Sequence, residues 1–82
     1  MASYIEQSLE RHFQNYLFTH AIYSGKPDLQ ASLYTSAKAE IEQLAQNFER
    51  AGFPHGEINY YTLIYKSKLQ RFYFAQLSSV VC

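Results

Sequence analysis

The chain has 82 residues, 48% of them hydrophobic, which describes a single folding domain with a small core rather than a disordered segment. Seven basic residues balance seven acidic ones, and this argues against a dedicated nucleic-acid or membrane-surface protein, whose partners call for a basic excess. The one cysteine, Cys82, excludes an internal disulfide and a thiolate metal site.

Eight tyrosines and six phenylalanines stand without a tryptophan. Tyrosine buries a ring while its hydroxyl stays wet, so it gathers at interfaces. The start MASYIEQ lacks the basic and apolar regions of a secretory leader, and no apolar run is long enough to cross a bilayer. Cys82 is the last residue, not the fourth from the end that prenylation requires. A cytoplasmic location with no membrane partner is the resulting expectation.

The first helix is predicted over about 4–23. Ser3-x-x-Glu6 reads as a capping box, with the serine accepting from the first turn and the glutamate reaching back. Ile5, Leu9, Phe13, Tyr16 and Leu17 then form one apolar stripe, and Ser24-Gly25-Lys26-Pro27 ends it with a glycine and then a proline. Phe18 and Ile22 lie on the far side from that stripe, where they are candidates for an interface.

The second helix is predicted over about 28–51. Pro27 suits a first helical position and Asp28 suits the positive end of the helix dipole. Leu33, Ala37, Ile41, Leu44, Phe48 and Ala51 share one face, with Tyr34 and Ala45 at its border. Lys38 and Glu42 stand at i,i+4 on the opposite side. The end is sharply marked. Gly52 at C′, Phe53 at C″ facing Phe48 at C3, and then Pro54 spell a Schellman motif with its hydrophobic contact.

The last segment, about 57–77, organises the rest. His55-Gly56-Glu57 leads into it, with Gly56 placed as an N-cap. At 100° per residue Ile58, Tyr61, Thr62, Tyr65, Leu69, Phe72, Tyr73 and Gln76 share one face, yet Tyr60, Leu63, Ile64 and Phe74 point away from it. A helix apolar on nearly all sides is buried in a bundle or against another chain. The competing expectation is a β-hairpin, because Tyr, Ile, Thr and Phe favour strands. Its only reversal would be Lys66-Ser67-Lys68, which has no residue suited to a positive φ. The tail from Ser78 to Cys82 reads as a fraying end or a short extended piece. An all-α three-helix bundle is the predicted fold, and two helices plus a C-terminal β-hairpin is the alternative.

Motifs for chemistry are lacking. His12 and His20 share a helix face but are eight residues apart, about 12 Å along the axis, too far to hold one metal ion. Glu6 and Glu10 fall on the polar face, where solvent is expected and the apolar surroundings needed to split two pKa values are lacking. There is no phosphate loop, nucleophile elbow or dinucleotide fingerprint among three glycines. The expectation is a non-enzyme without metal or cofactor.

Two binding functions remain. The first is a protein-protein interaction module, such as an adaptor, inhibitor or regulatory subunit, acting as a homodimer through the aromatic last helix. Its contact residues would be Tyr60, Leu63, Ile64, Arg71 and Phe74, with Phe18 and Ile22 secondary. The second is a small helical nucleic-acid-binding regulator using Lys66, Lys68 and Arg71. Those three positions scatter around the helix, and three cations attract phosphate weakly.

Overall fold

The computed structural model describes the backbone of residues 3–81 and the side chains of residues 3–77. Three helices follow one another, α1 (Tyr4–Ile22), α2 (Pro27–Arg50) and α3 (His55–Val81), each packed against the other two. They form a rod of 44 × 19 × 18 Å. No described residue is in a strand, so the hairpin alternative for the last third is overturned. Lys66-Ser67-Lys68 stays helical and keeps Ile58, Tyr65 and Leu69 on one buried line. Burial of that line against α1 and α2 outweighs the strand preference of the individual residues.

The loops behave as turn chemistry dictates. Gly25 and Gly52 are the positive-φ positions, at 79° and 89°, a region where a side chain would crowd its own backbone. After α2 the Phe53 N–H donates to the Phe48 carbonyl at 3.1 Å and the Gly52 N–H to the Glu49 carbonyl at 3.1 Å. Those two bonds complete the Schellman motif. The rings of Phe48 and Phe53 meet edge-to-face at 5.3 Å, and Tyr4 stacks on Phe53 at 5.8 Å.

The cap of α1 departs from the reciprocal capping box. The Ser3 hydroxyl accepts from the Ile5 N–H at 3.1 Å and donates to the Glu57 carboxylate of α3. One hydroxyl thus caps α1 and ties it to the start of α3. That start is at His55, two residues before the expected position, because the Pro54 carbonyl accepts the Ile58 N–H at 3.1 Å. Gly56 therefore lies inside the first turn instead of capping it. At the other end nothing in Ser78-Ser79-Val80-Val81 breaks a helix, and α3 runs through Val81. Cys82 lies outside the described residues.

The core is a column of Ile5, Leu9, Tyr16, Ala37, Ile41, Phe48, Ile58, Tyr65 and Leu69. All three helices supply it, so no pair of them could bury its apolar faces without the third. Ile5, Leu9, Ile41, Ile58 and Leu69 are fully enclosed, each worth about 1.5–3 kcal/mol of burial. No helix among the described residues is long and apolar enough to cross a membrane.

Candidate functional site

The face of α3 turned away from the core is the site to account for. Tyr60, Leu63 and Phe74 are 60%, 67% and 48% exposed, and Leu77 further along is 39% exposed. These are large apolar side chains on one side of one helix, with Ser67, Gln70 and Arg71 between them. Single exposed apolar residues are ordinary in a folded protein, whereas an aligned row of four is not.

Ile64 belongs elsewhere. It is half-buried and packs against the core, so it borders the outward face on the α1 side. Phe18 and Ile22 are exposed, but on α1, with Phe18 turned about 160° from the line of Ile5, Leu9 and Tyr16. They do not join the α3 row.

The outward row has residues that the individual side chains did not reveal. Tyr60, Leu63, Ser67, Gln70, Phe74 and Leu77 recur at intervals of three, four, three, four and three, the spacing of a coiled-coil seam. Ser67, Gln70 and Leu77 are exposed or half-buried members of it. The signal was present in the sequence but lay across a helix that is apolar on its inner side too, so no amphipathic contrast marked it. Tyr34 of α2 also reaches this flank. Its ring stacks on Tyr73 at 4.3 Å and meets Phe74 at 6.2 Å.

The basic residues of α3 diverge. Lys66 binds Glu42 of α2 at 3.0 Å, so the Glu42 expected beside Lys38 at i,i+4 reaches across to α3. Lys68 faces α1, with its ammonium 4.7 Å from the Tyr65 ring centre. The two lysines point about 200° apart around the helix, and Arg71 lies on the outward face between Ser67 and Phe74. The structure does not bring the three cations to one surface.

Glu10 is less solvated than its place in the sequence suggests. The Tyr65 hydroxyl donates to it at 2.7 Å and Gln14 donates at 3.1 Å. The Tyr65 bond, followed by the Gln14 bond, holds the Glu10 carboxyl below its ordinary range. Burial and the Glu10 bond push the Tyr65 phenol up. A phenol held in its neutral form and a carboxylate held in its charged form make a structural clasp between α1 and α3.

The histidines stay apart. His12 donates from Nε2 to the Ala37 carbonyl at 3.0 Å, and its Nδ1 is 3.3 Å from Glu40. His55 meets Glu49 at 3.1 Å. His20 is buried against Phe72, with ring centres 4.9 Å apart, and burial lowers its pKa. Among the described residues no three metal-binding side chains converge. Comparison with known proteins finds no matching family model, no matching curated protein and no matching solved structure.

Proposed function

We propose that the chain is a small protein-protein interaction module without catalytic activity, working as a homodimer through the outward face of α3. The observation that carries this reading is the aligned row of Tyr60, Leu63, Phe74 and Leu77, left in water by a bundle whose core is already complete without them. Removing such a row from water is favourable, and aromatic residues with an arginine at the rim are the types that anchor interfaces. A second copy of the same chain is the commonest partner in soluble assemblies. An adaptor or regulatory role then rests on the surfaces that the dimer leaves open, Phe18 and Ile22 among them. A cytoplasmic setting fits this role.

Light scattering of the purified protein at low and high salt tests the reading. The expected mass is that of a dimer at both, because apolar association is not screened. Phe74→Asp is expected to give a monomer with unchanged helical circular dichroism, while Phe18→Asp on α1 leaves the dimer intact. A wild-type monomer, or a Phe74→Asp variant that still dimerises, defeats the proposal.

A further inference from the structure

We infer that two copies of the chain join by packing α3 against α3 in antiparallel orientation, with Tyr60 opposite Leu77 of the second copy. This rests on the proposed role of the α3 outward face and adds the direction and register of the contact. The residues come from the seam Tyr60, Leu63, Ser67, Gln70, Phe74 and Leu77, written as successive a and d positions of a heptad. The inner residues agree with this lettering. Tyr65 and Phe72 fall at f and Leu69 at c, the positions farthest from the seam, and these are the ones packed into the chain's own core.

The row is its own complement when reversed. Turned end for end about the point midway between Ser67 and Gln70, Tyr60 meets Leu77, Leu63 meets Phe74 and Ser67 meets Gln70. Each a position then faces a d position, as antiparallel helices require. Each ring lies against a leucine, and the two polar residues meet at the centre, where a hydroxyl and an amide can bond each other. The parallel arrangement instead sets Tyr60 on Tyr60 and Phe74 on Phe74.

Charge separates the two orientations further. In a parallel pair the g position of one helix lies beside the e position of the next heptad on the other. That puts Lys66 beside Arg71 of the second copy, twice, a repulsion between like charges. In the antiparallel pair e flanks e and g flanks g. Arg71 then lays its stem over Ile64 of the second copy, and Lys66, already neutralised by Glu42 at 3.0 Å, lies beside the second copy's Tyr73.

The area is sufficient. The seam runs for about 26 Å of helix. Exposed fractions of 60%, 67%, 48% and 39% for Tyr60, Leu63, Phe74 and Leu77, on side chains of roughly 150–250 Å², give about 400 Å² per chain. With Ser67, Gln70, Arg71 and the flanking Tyr34 added, two chains together exceed the ~1,000 Å² that a specific interface needs.

Disulfide trapping tests the register. In a Cys82→Ser background, Tyr60→Cys and Leu77→Cys are made as separate variants, oxidised alone and as a mixture, and read by mass spectrometry. The antiparallel seam predicts a covalent dimer of one chain of each kind in the mixture and none from either variant alone, since like positions stand about 26 Å apart, far beyond the reach of a disulfide. Leu63→Cys with Phe74→Cys must give the same pattern, so that poor folding of one variant cannot decide the outcome. Covalent dimers from each variant alone would establish a parallel pair and overturn the register while leaving the interaction role intact. A Cys82→Ser dimer that no pair traps would place the contact on another face, with the same consequence for the register. A Cys82→Ser protein that is monomeric by light scattering would overturn the register and the dimeric function together.

Discussion

The inner and outer faces of α3 are chemically alike and physically opposite. Ile58, Tyr65 and Leu69 on one side, and Tyr60, Leu63 and Phe74 on the other, each combine tyrosine with large apolar groups. The first three are buried and the second three exposed. Hydrophobicity therefore says that a helix face will be covered, and leaves open what covers it. On the inner side the cover is the same chain, and stability there is intramolecular. On the outer side the described residues supply no such cover, and under the proposed dimer its energy would depend on concentration.

One pair of substitutions makes that difference measurable. Leu69→Ala empties a fully enclosed site and should cost about 3 kcal/mol in urea unfolding, whatever the protein concentration. Leu63→Ala, six residues away on the outer face, should change unfolding little in dilute solution and lower stability in concentrated solution, where the proposed dimer would form. Equal effects of the two at low concentration would break the distinction between the faces.

A smaller effect is expected at the clasp between α1 and α3. Tyr65→Phe removes the 2.7 Å bond to Glu10 while keeping the ring in the core, at a cost of about 1 kcal/mol. The Glu10 carboxyl should move back up toward its ordinary value, since the Tyr65 bond is the largest cause of its lowering. Because the folded-state pKa is the depressed one, the stabilisation is present above the unfolded value of 4.5 and is lost as pH falls through the folded value. Titration of Glu10 by NMR in both proteins checks the direction.

The smallest effect concerns His20. Among the described residues nothing reaches its Nε2 within hydrogen-bond distance, and burial lowers its pKa from 6.5. The unfolded chain then binds the proton more readily than the folded one, so stability falls as pH drops below about 6.5. The urea midpoint should be lower at pH 5.5 than at pH 7.5, and His20→Leu should reduce that difference. An unchanged difference would defeat the assignment to His20.

Much of the fold was legible in the residues. Ser3, the Ser24-Gly25-Lys26-Pro27 turn and the Arg50-Ala51-Gly52-Phe53-Pro54 stop carry local chemistry that acts within a few residues, so the three helices could be placed before any packing was considered. The stripe of Ile5, Leu9 and Tyr16 and that of Ala37, Ile41 and Phe48 were legible too, because each contrasts with a polar opposite side. The candidate site was legible only in part. Tyr60, Leu63, Phe74 and Arg71 could be picked out as lying off the inner line of α3, but Ile64 looked equivalent to them and proved to border the core. Ser67, Gln70 and Leu77 gave no sign individually, since a seam is a relation among positions.

What the sequence determined by itself is therefore local: where helices start and stop, and which spacing of apolar residues each one carries. The tertiary structure decided the rest. It chose helix over hairpin for residues 58–77, because burying Ile58, Tyr65 and Leu69 against α1 and α2 outweighs the weak intrinsic preferences of a Tyr- and Phe-rich segment. It turned Glu10 into a partner of Tyr65 and Glu42 into a partner of Lys66, pairings between residues 55 and 24 positions apart. It also divided one helix into an inside and an outside. Side-chain chemistry at each position is the same before and after folding, and only the placement of neighbouring helices determines which side meets water.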